Sequence, residues 1–210
     1  MRRYISIAAL SLAVIAPLAA QTPKGWKLRA DRSTSAADPD AAGAIKFMAM
    51  GATGFHAVTP QAAVFWNPAN TATGAYTLKG TFTQVKPSSH TNYYGLVFGG
   101  HNLENSMQNY LYFTVGQDGS WLIKRRDGDV NTQTVSRGTN AAVKRLDATG
   151  KSVNALEVRV AADKIDYVVN GTVVHSTPKT GMTANTDGLY GMRINHALEV
   201  MADGLSVAKQ

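Results

Sequence analysis

Four side chains on two neighbouring predicted strands have the types and spacing to bind a sugar. Tyr110 and Tyr112 lie two residues apart on one strand, and Lys124 and Arg126 lie two residues apart on the next. Alternate residues of a strand share a face. Aromatic rings flanked by charged groups can contact the C–H faces and hydroxyl rim of a saccharide. We predict a sugar-contacting platform, which Trp66 would extend; the alternative is an outer sheet face with ordinary cross-strand pairs.

The polar loop at residues 99–106 is the second candidate. It places a histidine, an amide and a carboxylate, those of His101, Asn102 and Glu104, on a flexible Gly-Gly backbone. Loops at the ends of sandwiches often hold binding groups. If the protein is an enzyme, His101 and Glu104 are the expected catalytic residues, Asn102 contributes to binding, and His196 is expected to approach the same rim. The alternative is a solvated polar loop.

Carboxylates in the arrangement of a classical glycosidase are absent from the sequence. Such enzymes need two carboxylates flanking the scissile bond, and retaining β-sandwich glucanases supply theirs from one strand in a Glu-x-Asp-x-(x)-Glu pattern. Here Glu104, Glu157 and Glu199 stand alone. This mechanism is therefore not expected.

Metal-ligating patterns are weak. Asp127-Gly128-Asp129 has the oxygen spacing of a calcium loop but lacks the acidic residues that follow in an EF-hand, so a hairpin turn with solvated carboxylates is favoured. The five histidines show neither HxH nor HExxH spacing, and there is no cysteine. No cofactor or metal is predicted, with calcium near Asp127 and Asp129 as the alternative.

The elements that must position these residues are short strands. Apolar or alternating runs are separated by Gly, Asn-Gly, Asp-Gly and Pro at short intervals, and no helical stripe of ten residues occurs. The pattern indicates an all-β, two-sheet antiparallel sandwich. The predicted strands are 26–29, 45–50, 56–59, 63–66, 75–84, 93–99, 109–116, 120–126, 130–137, 155–161, 164–170, 172–176, 189–194 and 198–207.

The turn residues of two predicted hairpins determine which residues of their strands pair. A three-residue loop at 117–119, with Gly119 left-handed, keeps one face apolar. A two-residue type I′ turn at 170–171 is predicted for the second. The first predicted pairs are Val115–Trp121, Phe113–Ile123, Tyr112–Lys124 and Tyr110–Arg126. The second are Tyr167–Val174, Val168–Val173 and Asp166–His175.

Composition and the first residues indicate an exported protein. The chain has 210 residues, 44% of them hydrophobic, and a net charge of +7. Residues 1–20 resemble a signal peptide, with two arginines, a short apolar run and small residues before Gln21. We expect a single domain in which a strand and loop at 21–44 complete a sandwich at 45–210. Its location would be periplasmic or extracellular. Neither nucleic-acid binding nor a further membrane segment is expected.

Several fragments, in order, resemble a known superfamily. They are Tyr94–Gly99, Asn109–Phe113, Lys124–Gly128, Asn154–Val160, Val169–Gly171 and Gly188–Arg193. Their order and spacing resemble concanavalin A-like lectins and glucanases, and among them bacterial secreted 3-keto-glycoside (3-keto-disaccharide) hydrolase-like domains. The resemblance implies a jelly roll of two curved sheets whose concave face or rim loops often hold a sugar.

The resemblance also suggests an enzymatic alternative. In a 3-keto-glycoside the ketone acidifies the adjacent C–H, so one general base and one oxyanion stabiliser could expel the aglycone by elimination. The base would be His101, His56 or Glu104, and the stabiliser Lys124 or Arg126. The primary hypothesis is an exported carbohydrate-binding module. This enzyme is the first alternative, and a structural or interaction module of the cell envelope is the second.

Overall fold

The computed structural model describes residues 22–210. The predicted signal segment 1–20 lies outside the described residues. Short β-strands account for nearly all the regular structure, as the sequence predicts, and no helix within residues 22–210 is long and apolar enough to cross a membrane. The elements are β1 (Lys27–Asp31), β2 (Lys46–Met50), β3 (Gly54–Thr59), β4 (Ala62–Ala72), β5 (Tyr76–Gln84), β6 (Tyr93–His101), β7 (Asn109–Gly116), β8 (Ser120–Asp127), β9 (Asn131–Thr139), β10 (Ser152–Val160), β11 (Lys164–Val169), β12 (Thr172–Pro178), a 3-10 turn (Gly181–Thr183), β13 (Gly188–Ile194) and β14 (Leu198–Lys209).

The strands form two antiparallel sheets of seven strands each. The front sheet has the order β1-β4-β13-β6-β7-β8-β9, and the back sheet has the order β12-β11-β10-β5-β14-β3-β2. Alternate residues of each strand point into the space between the sheets, where one apolar core forms. On β5, for example, Tyr76, Leu78 and Phe82 are fully buried while Lys79 is exposed. The predicted all-β jelly-roll sandwich is confirmed.

The first hairpin, β7–β8, has the predicted register. Val115 pairs with Trp121, and Tyr110 pairs with Arg126. Gly119 has a φ of +87°, the left-handed conformation that its three-residue loop requires. Hydrophobic alternation on both strands therefore determines which side chains share a face.

The second hairpin, β11–β12, has the predicted turn but a different register beyond it. Asn170 and Gly171 have φ values of +49° and +81°, as a type I′ turn requires. The Val168–Val173 pair is confirmed. A β-bulge next to Val168 then shifts the partner strand by one residue. The predicted Tyr167–Val174 and Asp166–His175 pairs are therefore wrong, and the observed pairs are Tyr167–His175 and Asp166–Ser176.

Packing between the sheets accounts for this bulge. The extra residue lets the His175 ring stack on Trp121 of the front sheet, with ring centroids 4.9 Å apart and an interplanar angle of 25°. Asp166 instead accepts a hydrogen bond from Ser176 Oγ at 2.7 Å. A tertiary aromatic contact thus overrides the regular ladder that the turn alone would produce.

The front sheet curls strongly, which makes its outer face concave. Asp31 on β1 and Arg126 on β8 are five strands apart, which in a flat sheet would be roughly 24 Å. Their side chains nevertheless form an ion pair with an N–O distance of 2.8 Å. A second pair joins Arg29 of β1 to Asp129 in the β8–β9 turn at 2.7 Å. Only curvature of the intervening strands can bring these groups together.

The backbones of β13 and β4 approach each other closely at Gly191. A Cβ atom at this position would overlap the carbonyl oxygen of Phe65. We predict that Gly191→Ala lowers the free energy of unfolding by about 1–3 kcal/mol through overpacking, measured by chemical denaturation. Gly80→Ala is the control, because its Cβ would meet only side-chain atoms, at 3.3 Å or more. Equal stability of the two variants would contradict the prediction.

Candidate functional site

The concave face carries an apolar cluster of its own, separate from the core between the sheets. Its members come from three strands, β4, β6 and β7, and from the loop after β6. They are Val64, Trp66, Val97, Leu103, Tyr110 and Tyr112, with Leu189 packed against them.

The two tyrosines are buried in this cluster instead of forming an open platform. They share a face with Lys124 and Arg126, as predicted. However, Tyr110 exposes none of its surface and Tyr112 exposes 5%. Trp66, the predicted extension, exposes only 2%. The expectation that these rings contact a sugar directly is therefore corrected, because side chains distant in sequence pack over them.

Asp31 holds together the charged part of the concave face. Its two oxygens accept hydrogen bonds from Arg126, Nη2 to Oδ1 at 2.8 Å and Nη1 to Oδ2 at 3.1 Å. Arg193 Nη2 donates to Oδ2 at 2.7 Å. Arg193 Nη1 donates to the Tyr110 hydroxyl at 2.8 Å, and its guanidinium lies 5.3 Å from the Tyr112 ring centroid. One carboxylate thus joins two nearly buried guanidinium groups and both rings.

Burial governs the protonation of these groups. It opposes the charge of Arg193, but the electrostatic effects of Tyr110, Tyr112 and Asp31 prevail and raise the Arg193 pKa above its ordinary value. Burial raises the pKa of Tyr112 to about 12, so this phenol is neutral at physiological pH. Burial, followed by repulsion from nearby arginines, lowers the pKa of Lys124. A charged Arg193 guanidinium group therefore lies beside a neutral Tyr112 ring.

An open depression of about 400 Å³ adjoins this network, and we call it the Asp31 depression. Asp31, Arg126 and Arg193 lie on one side of it. The segment after β1, including Arg32, and the end of β13, including Asn195, contribute to its other sides. Arg32 is exposed and forms no ion pair with any residue in 22–210. The depression therefore has charged groups that are already paired within the protein on one side, together with one unpaired guanidinium group, that of Arg32.

The structure does not bring the predicted catalytic loop residues together. His101 Nε2 contacts the carbonyl oxygen of Asp187 at 2.9 Å, whereas Glu104 forms an exposed ion pair with Lys27 at 2.6 Å. The two side chains line different depressions. Asn102 has a φ of +53° and begins an exposed turn. This loop matches the solvated alternative more closely than a catalytic rim.

His196 lies at the other end of the front sheet. It follows β13, whose last residues pair with the start of β6, while His101 ends β6. The expectation that His196 approaches the His101 rim is wrong, because an entire strand separates them. His56, another candidate base, lies on the back sheet and pairs with Glu199 at 3.1 Å.

Asp127 and Asp129 each bind a different protein donor. Asp127 accepts a hydrogen bond from Asn109 Nδ2 at 2.9 Å. Asp129 accepts from Arg29 Nη2 at 2.7 Å and from Gln108 Nε2 at 2.9 Å. The hydrogen bond from Arg29 is the largest of the effects that lower the Asp129 pKa. Both carboxylates therefore act as hydrogen-bond acceptors for neighbouring side chains of the front sheet and its loops.

Sequence reasoning missed Asp31 and Arg193. Arg193 carried a detectable signal, since it alternates with the inward-facing Met192 and Ile194 and so must point outward from a buried strand. No local sequence pattern points to Asp31, because its partners Arg126 and Arg193 lie 95 and 162 residues away.

Comparison with known proteins identifies the fold. No protein-family model matches the chain, and no curated protein matches it in sequence. The chain is similar in structure to carbohydrate binding module CBM66 from Bacillus subtilis, with a TM-score of 0.62, 9% identity, and coverage of 88% of this chain and 96% of that one. The fold is a concanavalin A-like jelly roll.

Two further solved structures have the same architecture. A Bacillus subtilis protein of unknown function with a galectin-like fold has a TM-score of 0.58 at 13% identity, and the match covers 89% of this chain and 90% of that one. An endo-β-1,3-glucanase from Pyrococcus furiosus has a TM-score of 0.51 at 11% identity, with coverage of 70% and 66%. At these identities the likeness concerns the fold alone.

Removing the charge of Asp31 should destabilise the protein. We predict that Asp31→Asn lowers the free energy of unfolding by about 3–5 kcal/mol, because it leaves Arg126 and Arg193 nearly buried without a counter-charge. Urea denaturation measures the effect. The control is Glu157→Gln, which breaks a more exposed pair with Arg159 and should cost less than about 1 kcal/mol. Similar losses in both variants would contradict the central role of Asp31.

The two tyrosines should respond differently to loss of the hydroxyl. Tyr110→Phe removes the acceptor of Arg193 Nη1 and should cost about 1–3 kcal/mol of unfolding free energy. The Tyr112 hydroxyl makes no hydrogen bond with residues 22–210, so Tyr112→Phe should cost less. Denaturation of the two variants side by side provides the measurement, and a larger effect at Tyr112 would overturn the assignment.

Proposed function

We propose that the protein binds a carbohydrate in the Asp31 depression. The observation that carries this proposal is a polar depression on the concave face of a curled sheet, with Arg126, Arg193 and Asp31 held in fixed geometry beside it. Sugar hydroxyl groups donate and accept hydrogen bonds, and bonds involving charged groups are stronger than those between neutral groups. Arg32 and Asn195 add a cation and an amide that have room to contact a ligand.

The burial of Tyr110 and Tyr112 affects how such a ligand would be recognised. With both rings covered, binding would depend mainly on hydrogen bonds to hydroxyl groups and less on stacking against a sugar face. Weak affinity for single sugars and stronger affinity for a chain that extends along the concave face would fit this arrangement.

The structural neighbours support the proposal at the level of fold. They include a carbohydrate binding module and a glucanase, so this type of sandwich can serve carbohydrate recognition. We also propose that residues 1–20 direct export, to the periplasm or beyond the cell, where polysaccharides are accessible.

Elimination from a 3-keto-glycoside is less well supported as a function. His101 and Glu104 line separate depressions, and Arg126, a proposed oxyanion stabiliser, is already paired with Asp31. A general base and a stabiliser must both reach the same substrate. An interaction module of the cell envelope is a further hypothesis, but no contact in the structure favours it.

Glycan-array screening followed by calorimetry with the strongest oligosaccharide tests the proposed function. We predict that Arg32→Ala and Asn195→Ala each weaken binding by about tenfold or more, since each removes one hydrogen-bonding group from the depression. Both side chains are peripheral to the Asp31 network, so the variants should remain folded.

Arg159→Ala is the matched control for loss of a guanidinium group. Arg159 lies on the back sheet, where it pairs with Glu157, and its substitution should leave glycan affinity unchanged. Absence of glycan binding by the unmodified protein would refute the proposal. So would unchanged affinity in an Arg32→Ala, Asn195→Ala double variant.

A further inference from the structure

Three side chains converge at the end of the front sheet that borders the Asp31 depression. Asp38 lies in the segment after β1, His90 precedes β6, and His196 follows β13. The His90 and His196 Nε2 atoms are 3.2 Å apart, and each lies 3.1 Å from Asp38 Oδ1. Two imidazole nitrogens and one carboxylate oxygen therefore form a nearly equilateral triangle.

The size of this triangle matches the coordination shell of zinc. Zinc binds imidazole nitrogen at about 2.0–2.1 Å, which places two ligands of a tetrahedral ion about 3.3 Å apart. An ion slightly above the plane of the three atoms could contact all of them, with little movement of their side chains. Two nitrogen donors make calcium and magnesium poor candidates, because these ions prefer oxygen ligands.

The groups behind the two imidazole rings resemble the outer shell of a metal site. Asp40 Oδ1 lies 3.4 Å from His196 Nδ1, and this buried oxygen has no hydrogen-bond partner within residues 22–210. A metal on Nε2 would fix the proton of His196 on Nδ1, facing this carboxylate. Ser89 Oγ lies 3.2 Å from His90 Nδ1 and can orient the second ring in the same way. Carboxylate and hydroxyl partners of this kind orient metal-ligating histidines.

The surroundings leave one side of the triangle available for a fourth ligand. Asp38 and His196 line the Asp31 depression. The side chains of Asp38 and His90 are about half exposed, whereas His196 exposes only about 10% of its side chain. The Asn92 amide nitrogen lies 3.0 Å from His90 Nε2, where it could contact a water bound to the ion. The carboxylates of Asp38 and Asp40 together balance the charge of a divalent cation.

We propose that Asp38, His90 and His196 bind one Zn²⁺ ion, with Asp40 as the outer-shell partner of His196 and water in the fourth position. The site joins the segment after β1 to the two loops beside β6 and β13. It would thereby fix one wall of the Asp31 depression. The spacing of the histidines in the sequence gives no sign of this cluster, because its ligands come from three separate loops, with 106 residues between the two histidines.

Metal binding by the tag-free protein tests this proposal without any sugar. We expect one Zn²⁺ per chain by mass spectrometry after dialysis against zinc. Substituted Co²⁺ should give the intense visible absorption of a tetrahedral site. His90→Gln and Asp38→Asn alter exposed ligands and should each reduce Zn²⁺ affinity by at least about 10–100-fold, which is the loss typical even of outer-shell changes. Added Zn²⁺ should raise the Tm of the unmodified protein by more than that of these variants at the same Zn²⁺ concentration.

The control is His56→Gln, since His56 lies on the back sheet and away from the cluster. This variant should bind Zn²⁺ as the unmodified protein does. Failure of the unmodified protein to bind Zn²⁺, or unchanged affinity in His90→Gln and Asp38→Asn, would overturn the proposal. Because the readouts contain no carbohydrate, they can fail or succeed independently of the glycan-binding experiment.

Discussion

The ion pairs of Asp31 with Arg126 and Arg193 are the constraint on which the concave face depends. They connect one edge strand of the front sheet to strands two and five positions away, and so require the sheet to curl. The network withdraws two guanidinium groups from water, a cost that only close pairing and further hydrogen bonds offset. The curl and this pairing occur together, and they place Asp31, Arg126 and Arg193 beside the depression.

The same constraint divides the concave face into two regions with different chemistry. On one side, Tyr110, Tyr112 and Trp66 are sealed into an apolar cluster that stabilises the curl. On the other, polar and charged groups border an open depression. The aromatic residues contribute to recognition indirectly, because Tyr110 receives a hydrogen bond from Arg193 and so holds that guanidinium in place. A ligand would therefore contact the polar groups around the depression and not the tyrosine rings.

Local sequence patterns predicted the strands and the first hairpin well, because alternation and turn residues act over a few positions. The burial of Tyr110 could not be predicted in this way. Alternation assigns a residue to a face of the sheet, but it cannot show whether distant segments cover that face. The bulge beside Val168 has the same origin, since the stacking of His175 on Trp121 joins two sheets that no local pattern connects. In both cases long-range packing prevailed over local preference.

The segment after β1 connects the two proposed sites. Asp31, the last residue of β1, precedes it and anchors the arginine network, while Asp38 and Asp40 lie within it beside His90 and His196. The segment has no regular structure, and Asp31, Asp38 and Asp40 pair with basic side chains of other elements. Asp31 and Asp38 both line the depression, so the contacts of both carboxylates contribute to its shape.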